Sequence, residues 1–159
     1  QSKEHIMKNV TMRSLLATSS VLVMLAPLAL SAAEPEDIIK YRQNVMKAVG
    51  GHTSAAGAIV QGKVDYKSDL LEHSRSLQAL TRNIPALFPK DSDFGETKAK
   101  DEVWSKRADF EKRAKDTKDK VEVFAKAVQS SNQQTIAASF KDVGESCKAC
   151  HKDFRKKDD

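Results

Sequence analysis

The sequence predicts an all-α fold, an antiparallel four-helix bundle of up-down-up-down order, and three observations carry that prediction. Four segments repeat apolar residues at the three-to-four spacing of a helix face. No segment alternates at period two for long enough to make a strand. The connections are modest apart from a long second one, so successive helices should lie antiparallel.

Residues 34–159 are the segment expected to form this bundle. Residues 1–6 carry no pattern and read as a cloning remnant ahead of a natural start at Met7. Residues 7–33 read as a secretory signal. Lys8 and Arg13 make a basic start, Leu15 to Leu30 an apolar run diluted by Thr18, Ser19 and Ser20, and Ser31-Ala32-Ala33 a small-residue cleavage site. The run is short for a membrane span, which needs about 20 apolar residues. Cleavage after Ala33 is therefore expected, with export to the periplasm and no span remaining. An oxidising compartment matters chemically, because two lone cysteines there would otherwise close a disulfide.

The chain carries 27 basic and 22 acidic residues. Setting aside Lys3, Lys8, Arg13 and Glu4 leaves 24 against 21 in residues 34–159. Both signs are interspersed and aromatic residues are few, so the composition gives no support for nucleic-acid binding.

Pro35-Glu36-Asp37 opens the first helix with a proline and two acids, which suit a helix N-terminus. Two stripes run along it at helical spacing: Ile38, Tyr41, Val45 and Val49, and Ile39, Arg42 and Met46. It should reach about Gln61 and stop at Gly62. Gly50, Gly51 and Gly57 inside it each cost up to about 1 kcal/mol against alanine. Gly50 shares a face with Met46, where bare backbone would admit a flat cofactor or another helix. Asp65 to Ser68 offer caps for a second helix with Leu70, Leu71, Ser74, Leu77, Leu80, Thr81 and Ile84 inward, ended by Pro85. Residues 86–100 form the long connection. A third helix from Asp101 should present Trp104, Arg107 or Ala108, Glu111, Ala114, Thr117, Val121, Phe124 and Val128, with a solvated face of lysine and aspartate. After a turn at Ser130-Ser131-Asn132, a fourth helix should carry Ile136, Phe140, Val143, Cys147, His151 and Phe154 on one face.

That last face contains Cys147-Lys148-Ala149-Cys150-His151, a C-x-x-C-H sequence that attaches c-type haem. Two thiols one helical turn apart can add to the two vinyl groups of a haem. The imidazole that follows is then carried beneath the iron as the proximal ligand. A thioredoxin-like dithiol or a structural disulfide would need a βαβ pattern around the motif, which is absent, and would leave His151 unexplained. One covalent haem c through Cys147 and Cys150 is expected, and its bulk would complete a core that has only six phenylalanines and one tryptophan.

Opposite His151, the iron could take Met46, His52 or His73, or keep the position empty. Met46 is best placed, on an apolar face of a flanking helix, with a soft thioether that suits a His/Met pair; it could also be a core methionine filling space. His52 lies about 240° further round the first helix, and His73 on the polar half of the second, where surface roles are commoner. Arg42 is one turn before Met46. Buried there it needs an anion, which a haem propionate or a carboxylate on a neighbouring helix would supply. Arg155, one turn after His151, either lies along the proximal haem face or points to solvent with Lys152, Lys156 and Lys157.

These residues resemble a known family, the class II cytochromes c, which comprises cytochrome c′ and cytochrome c556. The resemblance covers residues 34–159. It rests on Pro35-Glu36-Asp37, Lys40-Tyr41-Arg42-Gln43 with Met46, Leu87-Phe88-Pro89, Val103-Trp104, Phe140-Lys141-Asp142-Val143-Gly144 and the haem motif followed by Phe154-Arg155. The position of C-x-x-C-H near the C-terminus is distinctive, because class I cytochromes c carry it near the N-terminus. The resemblance implies an antiparallel four-helix bundle with one haem, homodimers as a common state, and a periplasmic role in electron transfer or gas binding. Met46 falls where the family divides: a methionine there ligates iron in c556-like members and covers a vacant iron in c′-like ones.

The function expected is a periplasmic electron carrier with His151 proximal and Met46 distal. The alternative is a high-spin cytochrome c′ that binds nitric oxide or carbon monoxide at an open distal site; a weaker one is a haem-free thiol redox protein. Redox partner proteins are implied, and Lys148, Lys152, Lys156 and Lys157 offer them a basic docking face. No constellation of general acid, base and nucleophile is visible, so no enzyme is expected.

Overall fold

The computed structural model describes residues 34–157, so the expected leader at 7–33, its cleavage after Ala33 and the remnant at 1–6 lie outside the described residues. Five helices follow one another: α1 (Pro35–Val60), α2 (Leu70–Thr81), the single turn α3 (Glu102–Ser105), α4 (Arg107–Ser130) and α5 (Gln133–Phe154). Short 3-10 turns stand at Lys67–Asp69 and Ile84–Leu87. Among the described residues the only β pairing is an isolated antiparallel bridge between Ala99 and Arg155. No described helix is long and apolar enough to cross a membrane.

The ends of the helices follow local chemistry. Pro35 begins α1 with Glu36 and Asp37 in its first turn, where the helix dipole favours acids. Gly62, at φ 68°, ends it: its N–H donates to the Ile59 carbonyl and that of Lys63 to the Ala58 carbonyl, a double closure that needs a left-handed residue. Asn132 caps α5, its side-chain oxygen accepting from the Thr135 N–H at 2.9 Å. The buried face of α2 is Leu70, Ser74, Leu77 and Thr81, as the spacing predicts. Its two hydroxyls donate to carbonyls of the same helix, Leu71 and Leu77, so their burial leaves no donor unmet.

Two faces differ from expectation. In α1 the stripe of Ile39 and Arg42 turns inward, while Tyr41 of the other stripe is 64% exposed. The expected third helix is broken at Lys106, whose φ −114° and ψ 47° are not helical. Arg107, the first residue beyond the break, donates to the Phe88 and Pro85 carbonyls and to Glu111. The break shifts the helical phase, so Val103 and Phe110 are buried where Trp104 and Glu111 were expected on the core face.

The core is in two parts. One joins Ala56 and Ile59 of α1, Leu70 and Leu77 of α2, Val121, Phe124 and Ala127 of α4, and Ile136 and Val143 of α5. The other gathers Ile84, Ala99, Val103, Phe110, Ala114 and Phe154, with Met46, Phe88, Trp104 and Cys150 packed on it. Late α1 and α4 thus meet early α2 and α5 at one end, and early α1 and α4 meet late α5 at the other. That is the up-down-up-down order expected. At the second end the chain after α5 is tied to the long connection by two backbone bonds, Lys100 N–H to the Phe154 carbonyl and Lys156 N–H to the Lys98 carbonyl.

Candidate haem-attachment site

Cys147 and Cys150 stand one turn apart on α5, both half-buried and both free thiols. Cys147 packs on the first core cluster and Cys150 on the second, so the pair straddles the seam between them. Burial is the main reason both thiols ionise late. It raises Cys147 against the opposing help of Ser146, and with the neighbouring Cys147 it pushes Cys150 up to about 11 despite the charge of Arg113. Such thiols stay protonated at neutral pH, the opposite of the depressed values that reactive redox cysteines need. In the haem-free chain, Cys150 should alkylate with iodoacetamide about a hundredfold more slowly at pH 7 than a thiol at the ordinary 9.0, because the thiolate fraction falls with each unit. Mass-spectrometric rates for the two cysteines would check this; a rate equal to that of a free thiol would contradict the burial.

His151 does not point into the core as expected; it is exposed at the rim of α5. At about 100° per residue, Phe154 and Cys150 lie within about 20° of Val143, the centre of the buried face, while His151 lies about 80° from it. The ring is still partly desolvated. That burial, followed by the positive charge of Arg155, lowers its pKa below the usual 6.5 and keeps the imidazole neutral, the form in which it binds metal. The sign follows from linkage: the unfolded chain takes up this proton first, so the haem-free fold loses stability as pH falls from 6.5 toward the lowered value. Arg155 is exposed, and its positive charge acts on that ring.

Met46 is half-buried and packs on the same cluster as Cys150. The register explains this. A Cβ on Gly57 would come within 3.3 Å of the Phe140 ring, so α1 and α5 cross closely there. Eleven residues back along α1 is Met46; eleven forward along antiparallel α5 is His151. Both displacements are about 16 Å along the bundle, which brings the two side chains to one level. Gly57 therefore serves helix packing, whereas a Cβ at Gly50 or Gly51 would meet nothing within 4 Å.

Arg42 is 3% exposed and is bonded to no carboxylate of a neighbouring helix. Its guanidinium donates to Ser92 Oγ and the Ser92 carbonyl, both at 2.9 Å, and to Thr97 Oγ1 at 2.8 Å. It also lies over the rings of Phe88 at 4.8 Å and Trp104 at 5.6 Å. Neutral oxygens and π faces replace the carboxylate, and burial lowers its pKa. Ser92 and Thr97 are the partners that sequence reasoning missed; they sit in the long connection, where no periodicity marks them. His52 and His73 are not distal ligands in waiting: they face each other, Nδ1 to Nδ1, between α1 and α2.

Two thiols one turn apart, a neutral imidazole beside them and a thioether level with it make a donor set that fits a c-type haem. The second cluster, in which Phe88, Trp104, Phe110 and Phe154 meet edge to face and against which Cys150 and Met46 pack, offers the apolar surface a flat macrocycle requires.

The comparisons with known proteins agree. The family model described as Cytochrome C' matches residues 37–155. The cytochrome c' of Pararhodospirillum photometricum is 32% identical over 124 residues, covering 77% of this chain and 99% of that protein. Cytochrome c-556 of Agrobacterium tumefaciens is 33% identical over 117 residues, covering 72% and 91%. Solved structures of cytochrome c prime variants from Alcaligenes xylosoxidans, a nitric oxide complex and a carbon monoxide complex, are 30% identical with TM-scores of 0.74 and 0.73, each covering 80% of this chain and 100% of theirs. A match that runs from the first turn of α1 to Arg155, with the only two cysteines in place, means that the chain belongs to the cytochrome c′ family and carries haem c bound through Cys147 and Cys150.

Proposed function

We propose that this is a periplasmic cytochrome c′ that binds nitric oxide or carbon monoxide at an open distal position, with no catalytic step of its own. Haem c would supply an iron that binds small gases and exchanges one electron. His151 would hold that iron through its neutral imidazole, on which the positive charge of Arg155 acts. Cys147 and Cys150 would hold the macrocycle through thioethers, next to the cluster that contains Phe88, Trp104, Phe110 and Phe154. Met46, packed on that same cluster from α1, would cover the gas-binding side. The observation that carries this reading is the agreement, over the full length of the Alcaligenes chains, with structures solved as nitric oxide and carbon monoxide complexes. The secretory pattern of residues 7–33 supports the compartment.

A second reading, the electron carrier with Met46 as sixth ligand, is favoured by the placement of Met46 with Cys150 in one cluster and by the likeness to a cytochrome c-556. Visible spectra of the oxidised and reduced protein separate the two. An open site gives a broad high-spin spectrum and carbon monoxide uptake with no prior ligand-dissociation step. Met46→Ala then leaves the spin state alone and speeds uptake about tenfold by removing a cover. A low-spin wild-type spectrum with a methionine–iron band, turned high-spin by Met46→Ala, would replace gas binding with electron transfer.

A further inference from the structure

His52 of α1 and His73 of α2 meet ring to ring across their helices. Their Nδ1 atoms are 3.0 Å apart, with ring centroids at 5.3 Å and planes inclined by 60°. Both side chains are half-buried. As neutral imidazoles they share one proton, one Nδ1–H donating to the other Nδ1.

The same spacing suits two neighbouring ligands of one metal ion. At metal–nitrogen bonds of about 2.0–2.1 Å, adjacent ligand nitrogens stand about 2.9 Å apart at a right angle and about 3.3 Å apart at the tetrahedral angle. The observed separation falls between these values. Binding through both rings needs the donating imidazole to move its proton from Nδ1 to Nε2, which frees its Nδ1 lone pair, and a rotation about χ2 of each ring, a soft torsion in histidine, to aim the two lone pairs at a common apex. The backbones need not move. They are held by the first core cluster: Ala56 lies one turn beyond His52, and Leu70 and Leu77 flank His73. A pair of donors on rigid, packed elements is pre-organised for a ligand. Neither histidine takes part in haem attachment.

We infer that His52 and His73 form a second metal site, taking a divalent transition cation between α1 and α2 with water in its remaining positions. Imidazole nitrogen suits copper, nickel and zinc, and the stability order of these ions makes copper(II) the tightest. The inference stands independently of the state of the haem iron.

Calorimetric titration of the haem-loaded protein, residues 34–159, with copper(II) and with zinc(II) tests it. That segment has one other histidine, His151. The expected result is one tight copper site per chain that weakens at least tenfold in His52→Ala and in His73→Ala. Zinc should bind at the same site more weakly. Paramagnetic resonance of the copper-loaded protein should show coupling to two imidazole nitrogens, reduced to one in either variant. Helical circular dichroism and the haem spectrum report that the variants fold; His73→Asn, which keeps a polar side chain of similar size, replaces any alanine variant that does not. Equal copper affinity in wild type and in the His52→Ala/His73→Ala double variant would overturn the inference and leave the pair as a proton-sharing contact.

Discussion

Replacing Cys147 and Cys150 together by serine should remove every covalently held haem from the chain. A thioether needs a thiol, and these are the only two cysteines. On a denaturing gel, haem staining of the wild-type polypeptide should survive extraction with acid and acetone, and that of the double variant should vanish. Each single serine variant should retain colour through the remaining thioether at lower yield, because either thiol can anchor one side of the macrocycle from its own turn of α5. His151→Ala separates anchoring from ligation. It leaves both thiols in place, so staining should persist while the native Soret band is lost. Haem that washes out of wild type would contradict covalent attachment, and a native Soret band in His151→Ala would displace His151 as the proximal ligand.

Arg42→Ala should lower stability by about 3 kcal/mol, the largest loss expected from a single polar side chain here. Three hydrogen bonds from a charged donor disappear, leaving Ser92 Oγ only its bond to the Pro89 carbonyl and Thr97 Oγ1 only that from the Ala99 N–H, and the guanidinium leaves the faces of Phe88 and Trp104. Hydrogen bonds to charged groups contribute about 1.5–3 kcal/mol each before the cost of burying the charge is subtracted, and that cost is high for an arginine whose partners in the protein are all neutral. Arg42→Met keeps much of the apolar stem and removes the buried charge, so it should lose about half as much. Arg42→Lys keeps the charge but not the planar fork, and cannot reach Ser92 and Thr97 together. Urea midpoints of the haem-loaded variants measure these differences. A loss in Arg42→Ala below about 0.5 kcal/mol would mean that the clamp between α1 and the long connection is not a stabilising contact.

The geometry of that clamp also explains why two cores form rather than one. Ser92 and Thr97 draw the connection over the early part of α1, which seats Phe88 and Trp104 beside Met46 and Cys150. Part of the second cluster, Phe88 and Trp104, therefore belongs to none of the four long helices.

What the sequence by itself determined is whatever depends on near neighbours in the chain. Pro35, Gly62 and Asn132 mark helix ends through their own backbone preferences and caps. The face of α2 follows from a spacing of three and four. The haem motif is legible because both attachment cysteines and the histidine proposed as proximal ligand fall in five consecutive residues. Tertiary structure decided what depends on contacts between distant segments. Arg42 meets Ser92 and Thr97 fifty and fifty-five residues on, and no local pattern announces neutral partners for a buried cation. The break at Lys106 follows the capture of the Phe88 and Pro85 carbonyls by Arg107, and it moves Phe110 to the core in place of Glu111. His151 sits at the rim because α5 turns Val143, Cys150 and Phe154 to the centre of the bundle, a rotation that helical periodicity leaves free by tens of degrees. His52 and His73 are unrelated along the chain and become a pair only when α1 and α2 pack, since twenty-one residues and a turn separate them in sequence while 3.0 Å separates their nitrogens in the fold.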